Sequence, residues 1–194
     1  MYDDIGVIFF ERDSFEGSVG SGVDHFGFSM SNVADVVAGV VADGGKQLRE
    51  FVEFGGMQIG FIEDPWGTKI EIIDDPDLRG MHHLHLSSLD PEGTLAWYAE
   101  NFGGEREQWK GVLPALNYGD ILLLVSQASS DAAPTQGRSI DHLGWKFSDI
   151  IAAEEELKAN GVEFSLEPFE FRTIRIAFVN GPDHVNIELV EEEH

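Results

Sequence analysis

The stretch DHFGFSMSN at Asp24–Asn32 decides the fold, because DHLGWKFSD at Asp141–Asp149 repeats it 117 positions later. Both stretches begin with an Asp-His pair, continue with alternating residues typical of a strand, and end on a polar residue. The same shift aligns glycine, proline and isoleucine positions further downstream without a gap. We interpret this as an internal repeat, the feature that has to be recognised before any other in such a chain.

Each repeat also carries a glutamate at a fixed distance from its histidine. His25 precedes Glu71 by 46 positions, and His142 precedes Glu188 by the same distance. A third and more diverged copy begins at His83, in HLHLSSLD, with the same seven-residue step from histidine to aspartate.

Every copy predicts a βαβββ unit: one strand, one helix and then three strands. We expect helices over Val33–Asp43, Pro91–Phe102 and Ile150–Asn160. Each helix follows a polar residue that can cap its N-terminus, namely Asn32, Asp90 or Asp149. Each ends at a glycine suited to a helix C-terminus, namely Gly44, Gly103 or Gly161.

These units predict an α+β fold of tandem βαβββ units that pair into half-barrel clefts. The units are unit A (Val23–Asp75), unit B (Met81–Gln127) and unit C (Ile140–Glu191), preceded by a stray strand at Ile5–Phe10. Because adjacent units are expected to pair, we predict an incomplete N-terminal domain over residues 1–78 and a complete domain over residues 79–194. A polar linker at Ala128–Ser139 joins units B and C.

The composition limits the classes of partner. The chain of 194 residues has no cysteine, which excludes disulfides and thiol nucleophiles. Its 36 acidic and 12 basic residues give a net charge of −24, which disfavours nucleic acid and anionic membranes as partners. No apolar run is long enough to span a membrane, and the acidic N-terminus is unlike a signal peptide. We therefore expect a cytoplasmic protein.

Strand alternation indicates which side chains face a cleft. In DHLGWKFSD the row Leu143, Trp145 and Phe147 suits packing under the helix, so His142 lies on the opposite face. The same alternation directs His83 of unit B and Glu188 of unit C away from the helices. We expect these three side chains to converge between units B and C, where two imidazoles and a carboxylate would bind a divalent metal.

The paired units resemble the vicinal oxygen chelate superfamily, in which glyoxalases, extradiol dioxygenases and bleomycin-resistance proteins occur. The motifs that carry the resemblance are DHxGxxxSD and GPDxxxIELVE, here at Asp141–Asp149 and Gly181–Glu191. The resemblance implies a divalent metal (Fe²⁺, Mn²⁺, Zn²⁺ or Ni²⁺) held by His83, His142 and Glu188. It also implies a small substrate that chelates the metal through vicinal oxygens, and either isomerase or lyase chemistry or O₂-dependent ring cleavage. The alternative is a metal-free protein that sequesters small molecules.

Further residues are candidates for the remaining roles. For proton transfer or orientation of the substrate we select His85, Lys146 and Tyr118. For the lining of the substrate cleft we select Trp109, Phe178 and Arg172.

Unit A keeps His25 and Glu71, which form a possible second half-site, yet only the stray strand stands where its partner unit would be. Three explanations are open at this stage. A second copy of the chain completes the half-site in a homodimer, the sequence lacks the front of a further unit, or the two residues have a purely structural role.

Overall fold

The computed structural model describes residues 5–191 and has an α+β fold, as predicted. The helices are α1 (Val33–Ala42), α2 (Pro91–Phe102) and α3 (Ile150–Ala159), which lie within one residue of the predicted bounds. None of the helices in this part of the chain is both long and apolar enough to cross a membrane.

Two of the three predicted N-terminal caps form. The backbone N–H of Gly93 donates to Asp90, and the N–H groups of Ile151 and Ala152 donate to Asp149. The prediction for Asn32 is wrong, because its backbone takes the left-handed conformation and its side chain makes no capping hydrogen bond. All three predicted glycines after the helices have positive φ, as a helix C-terminus favours.

The strands form two sheets. The first sheet contains β1 (Val23–Ser29), β2 (Lys46–Gln47), β3 (Val52–Phe54), β4 (Met57–Glu63), β5 (Lys69–Ile73), β6 (Gly80–Ser88), β7 (Glu105–Trp109), β8 (Leu113–Asn117) and β9 (Leu122–Gln127). The second contains β10 (Leu143–Phe147), β11 (Phe164–Phe171), β12 (Ile174–Asn180) and β13 (Asn186–Glu191). A 3₁₀ turn at Pro182–His184 precedes β13.

Unit A pairs with unit B in the first sheet, whose strand order is β2-β4-β5-β1-β6-β9-β8-β7, with β3 beside β4. The two units meet where β1 runs antiparallel to β6, and His25 lies opposite His85 in this register. The prediction that unit A has no complete partner unit in the chain is therefore corrected. The expected domain boundary between residues 78 and 79 lies between β5 and β6, within one continuous sheet.

Unit C forms the second sheet alone, in the order β10-β13-β12-β11. Its helix-facing residues share one core with those of unit B, and this core includes Leu86, Leu143 and Leu189 together with residues of α2 and α3. Because successive strand residues point to opposite faces, the rows opposite this core face away from each other. Units B and C are thus joined through their helix sides and do not form the shared cleft that we expected.

The predicted stray strand at Ile5–Phe10 does not form, since this segment has no regular structure and pairs with no strand of residues 5–191. Several of its apolar side chains are exposed, and Phe9 is 90% exposed. The end of the segment lies beside unit C, since the Phe10 ring is 5.8 Å from the ring of His142, and Arg12, two residues further on, is 3.0 Å from Asp141.

Candidate metal centre

Four side chains that can bind a metal meet where units A and B join. His25 comes from β1, Glu71 from β5, and His83 and His85 from β6. One ligand atom of each lies within 4.8 Å of the others. We refer to these four residues as the A–B cluster; the half-barrel geometry brings them together because β1 lies between β5 and β6.

The distances within the A–B cluster suit a metal ion. Glu71 Oε2 is 3.3 Å from His25 Nε2 and 3.7 Å from His83 Nε2. Four ligands about 2.1 Å from a tetrahedral ion are roughly 3.4 Å from one another. His83 Nε2 and His85 Nδ1 are buried and have no hydrogen-bond partner in the described part of the chain. Such orphaned nitrogens are costly unless a ligand satisfies them, so these residues fit a divalent metal.

The surroundings of the A–B cluster favour the neutral form of two of its histidines. Burial, followed by the charge of His25, lowers the pKa of His85 to about 3. Burial also holds the pKa of His83 well below its usual value, and neighbouring histidines add to this. Both imidazoles are therefore neutral near pH 7, the form that binds metals.

His25 is oriented by its neighbour in the chain. Its Nδ1 lies 2.6 Å from Asp24, whose carboxylate also accepts a hydrogen bond from Lys69 at 2.5 Å. Burial raises the pKa of Asp24, but these hydrogen bonds outweigh it and hold that pKa well below its usual range. The ionised carboxylate fixes the His25 ring with its Nε2 directed at Glu71.

Unit B supplies its ligands differently from units A and C. In those units the glutamate lies beside the glycine two residues after the histidine, since Gly27 pairs with Glu71 and Gly144 pairs with Glu188. The equivalent pair in unit B is His85 and Leu124. Unit B therefore has leucine where units A and C have glutamate, and His85 on β6 contributes a ligand nitrogen to the cluster instead.

The A–B cluster opens into a cleft of about 410 Å³, which His25, Glu71 and His85 line together with Phe61. An apolar group that includes Phe61, Leu122 and Leu124 covers the same face of the sheet. Two cations also line the cleft. Lys69 is paired with Asp24, whereas the Arg49 guanidinium lies 3.9 Å above the Phe61 ring and, among residues 5–191, makes no ion pair.

The structure corrects the predicted grouping of His83 with His142 and Glu188. His83 joins the A–B cluster, and residues 5–191 contain no cluster of ligand atoms that unites it with the other two. The reason is the shared core between units B and C, which turns their histidine faces apart. His25 and Glu71, expected to form a separate half-site, lie in the same cluster as His83.

His142 and Glu188 form a separate pair in unit C, which we call the C-unit pair. Glu188 Oε2 is 3.3 Å from His142 Nε2, and Asp141 is 2.7 Å from His142 Nδ1. Burial would lower the pKa of His142, but Asp141 and Glu188 outweigh it and raise that pKa to about 9. The C-unit pair is thus an ion pair near pH 7.

The other predicted site residues are dispersed. Tyr118 packs on the helix side of unit B, with its ring 6.1 Å from that of Trp145, and Lys146 is exposed on β10. Both lie apart from the A–B cluster and its cleft lining, because the B–C cleft for which we selected them does not form.

The three predicted cleft residues also separate. Trp109 stacks on Phe54 and lies edge-on to His82, on the A–B side of the sheet. Phe178 lies edge-on to His142 in unit C. Arg172 is exposed in the turn between β11 and β12.

Sequence reasoning missed two buried residues beside the cluster. His82 Nδ1 is 2.7 Å from His83 Nδ1, and His82 Nε2 is 3.3 Å from Asp75. His82 occupies the position before the histidine of unit B that Asp24 and Asp141 occupy in units A and C, but strand alternation alone directs its side chain away from His83.

Comparison with known proteins agrees with this fold. The family model for the Glyoxalase/Bleomycin resistance protein/Dioxygenase superfamily matches residues 80–189, more than half of the chain. The chain therefore belongs to this superfamily, which the sequence resemblance had indicated.

Two plant relatives of this chain are named as lyases. A probable chloroplastic lactoylglutathione lyase of Arabidopsis thaliana is 28% identical over 163 residues, which are 77% of this chain and 47% of that protein. A second lactoylglutathione lyase of the same plant is 26% identical over 72% of this chain and 54% of its own length. The chain thus spans about half the length of these relatives.

Glyoxalase I from Zea mays has a similar fold, with a TM-score of 0.73 and 21% sequence identity. The match covers 92% of this chain and 70% of the maize chain.

Proposed function

We propose that this protein is a divalent-metal-dependent lyase of the glyoxalase type and that the A–B cluster holds its metal. The observation that carries the proposal is the convergence of three imidazoles and one carboxylate within 4.8 Å at the base of a cleft. The names of the plant relatives support lyase chemistry. When bound, Zn²⁺, Ni²⁺, Fe²⁺ or Mn²⁺ would act as a Lewis acid toward a substrate that chelates it through vicinal oxygens.

His85 suits the role of a ligand better than that of a general base. A general base works best when its pKa is close to the working pH. The pKa of His85, at about 3, is far below neutrality. The Ser126 hydroxyl occupies its Nε2, so Nδ1 is the nitrogen available to the cluster. His25, His83, His85 and Glu71 would then hold the metal, next to the cleft that would receive the substrate.

The cleft favours a substrate with an anionic end. Arg49 lies at the cleft with its guanidinium over Phe61 and without an ion pair among the described residues, although the chain has a net charge of −24. A carboxylate that enters the cleft would find a partner there, while Phe61 would cover apolar parts of the same molecule. Lactoylglutathione, after which the relatives are named, has both carboxylates and adjacent oxygens.

Metal content tests the centre. We expect about one Zn, Ni, Fe or Mn per wild-type chain after reconstitution with each ion and gel filtration. The His83→Ala variant should lose this metal, and the His142→Ala variant should keep it. Retention by His83→Ala with loss in His142→Ala would contradict the centre at units A and B. No metal in any of the three proteins would favour a metal-free binding protein.

Substrate turnover tests the chemistry. Loaded protein should interconvert lactoylglutathione with methylglyoxal and glutathione, which the thioester absorbance follows. Arg49→Met should lower kcat/KM roughly tenfold or more, as expected when a charge-assisted contact is lost. Arg172→Met is the matched control, because Arg172 also lies over a phenylalanine ring but far along the chain in unit C.

Oxygen chemistry is the second candidate reaction. His25, His83 and Glu71 include the two-histidine, one-carboxylate set that non-haem Fe²⁺ oxygenases use. Oxygen uptake with a catechol by the Fe²⁺-loaded protein, without lyase turnover, would favour ring cleavage over the lyase.

We also infer that the protein forms a homodimer through unit C. Strand β10 is the edge of its sheet, and no strand of residues 5–191 pairs with its outer side. Its repeat equivalent β1 pairs antiparallel with β6, which unites the histidines of two units. The same pairing between two copies would join two C-unit pairs across a twofold axis. A cytoplasmic location stays a prediction.

A further inference from the structure

The buried histidine at position 82 occupies an unusual place in β6. Successive residues of a strand normally point to opposite faces. Here His82 and His83 meet, with their Nδ1 atoms 2.7 Å apart. The reason is an irregularity in the pairing with β1, where Gly27 lies opposite His83 but Phe28 lies opposite Met81. His82 is the extra residue of this bulge, and such a bulge can re-aim a side chain.

His82 connects the A–B cluster to a buried carboxylate. Its Nε2 lies 3.3 Å from Asp75 Oδ2, and both residues are at most 1% exposed. Lys110 Nζ donates to Asp75 Oδ1 at 3.1 Å, and the N–H of Asp77 donates to the same oxygen at 3.0 Å. Four groups therefore form one chain of contacts: Lys110, Asp75, His82 and His83.

Proton counting along this chain fixes which nitrogen of each ring carries hydrogen. Ionised Asp75 can only accept, so His82 must present Nε2–H to it. Neutral His82 then has a lone pair on Nδ1 and accepts from Nδ1–H of His83. His83 in turn has its lone pair on Nε2, the buried nitrogen without a hydrogen-bond partner that lies 3.7 Å from Glu71.

The three repeats show what His82 replaces. In units A and C an aspartate directly precedes the histidine, contacts its Nδ1 and pairs with a cation: Asp24 with Lys69, and Asp141 with Arg12. In unit B the carboxylate is Asp75 and the cation is Lys110. The order of cation, carboxylate and histidine is the same, but one more imidazole stands between the carboxylate and His83.

We propose that His82 is a positioning residue. Held by Asp75, it accepts the hydrogen on Nδ1 of His83, so that His83 offers Nε2 to a divalent metal in the A–B cluster. This rests on the metal-centre role proposed above for His83. Partners of ligand histidines commonly contribute 10- to 100-fold to metal affinity. Replacing an intervening imidazole by an apolar side chain should remove that contribution without removing a ligand.

The tautomer of His83 in the metal-free wild-type protein is the first test. Long-range ¹H–¹⁵N spectra should show hydrogen on Nδ1 of His83 and on Nε2 of His82. Hydrogen on Nε2 of His83 would overturn the proposal. This measurement needs neither a variant nor bound metal, so it tests the tautomer that His82 imposes on His83 separately from the metal-binding role of the A–B cluster.

Co²⁺ affinity, measured by competition with a chromophoric chelator, is the second test. His82→Leu should weaken binding by about 10- to 100-fold. His82→Asp, which copies units A and C, should bind within a few fold of wild type. His184→Leu, a change at an exposed histidine, should bind like wild type. Equal affinities for His82→Leu and wild type would overturn the proposal, as would equal losses in His82→Leu and His82→Asp when both show the wild-type circular dichroism spectrum.

Asp75→Asn provides a second route if His82→Leu does not fold. The amide can donate to His82 Nε2, which permits the opposite tautomer of both rings. His83 should then show hydrogen on Nε2 in a measurable fraction of molecules, with weaker Co²⁺ binding. A tautomer and an affinity identical to wild type would contradict the relay.

Discussion

Position 85 distinguishes unit B from its two relatives in the chain. Units A and C have glycine there, Gly27 and Gly144, each beside a glutamate on the neighbouring strand. Unit B has His85 beside Leu124, which is buried among apolar side chains. In unit B the additional ligand therefore lies on β6, as His85, and not on the neighbouring strand β9. The centre has three histidines and one glutamate, where two equivalent units would give two of each.

His85→Leu should weaken Co²⁺ or Zn²⁺ binding by about 100-fold or more, because a direct ligand contributes more than an outer-shell partner. Removing His85 also relieves the burial of an unpaired nitrogen, so we expect the metal-free variant to be at least as stable as wild type. Competition titration and urea unfolding measure the two quantities. Unchanged affinity beside a His184→Leu control would show that the cluster binds metal without His85.

The C-unit pair should make the free energy of unfolding depend on pH. The folded pKa of His142, about 9, exceeds the unfolded value near 6.5. Its contribution is therefore fully present below pH 6.5 and is lost as the pH rises through 9.

Urea unfolding of the metal-free protein between pH 6 and 10, together with NMR titration of His142, would measure this contribution. Glu188→Gln should lower the pKa of His142 and flatten the stability profile in that window. A His142 pKa near 6.5 in the wild-type protein would contradict the ion pair.

The residues of the A–B cluster were partly predictable. The repeat identified His25, Glu71 and His83, and it identified His85 as a residue with a different role. The relay of His82 and Asp75 was not predictable, because strand alternation directs His82 away from His83 and only the bulge in β6 reverses this.

At the level of elements, β1 and β10 have the same motif but different requirements for glycine. A Cβ on Gly27 would lie 2.3 Å from the His83 ring, whereas a Cβ on Gly144 would meet nothing closer than a backbone oxygen at 3.8 Å. The glycine of β1 is thus the space into which the histidine of the opposite strand fits, and β10 has no such neighbour.

Gly27→Ala should therefore displace the His83 ring, weaken metal binding at least tenfold and cost about 1–3 kcal/mol of stability through overpacking. Gly144→Ala, the same change in the repeat, should stay within about 0.5 kcal/mol of wild type. Thermal unfolding and Co²⁺ titration of both variants test the contrast. Equal effects of the two substitutions would show that glycine is needed for the strand and not for the histidine.

The helices were predictable almost to the residue, since a polar residue, an apolar helical pattern and a glycine mark each one. The segment Ile5–Phe10 was not, although it reads like the last strand of unit B. A strand is stable only when it pairs with others, and no described strand lies beside this segment. Local pattern determined α1, α2 and α3, while partners determined which apolar runs became strands.

At the scale of the whole molecule, the repeat predicted three units but not which two share a cleft. Units B and C were expected to pair because they are adjacent in the sequence and each contains a complete βαβββ unit. Their helix sides share a core that includes Leu86, Leu143 and Leu189, so only one face of unit B remains for a partner, and unit A takes it. The sequence determines which face of each strand is apolar, but not which apolar faces meet.

This arrangement leaves the outer side of β10 without a strand partner among residues 5–191 and predicts a homodimer. Each chain has a mass of 21.4 kDa and a net charge of −24, so two copies repel each other at low salt. We expect sedimentation to show monomers at low ionic strength and a rising fraction of dimers as salt screens the repulsion.

Lys146→Glu on β10 should weaken the dimer more than Lys46→Glu on β2, although both substitutions change the net charge equally. Lys46 lies on the outer edge of the other sheet and serves as the matched control. Lys146→Glu adds negative charge at the proposed contact between two strongly acidic copies, whereas Lys46→Glu adds it on the other sheet. Equal dimer fractions for the two variants would show that the contact lies elsewhere than β10. A monomer at every salt concentration would contradict the homodimer.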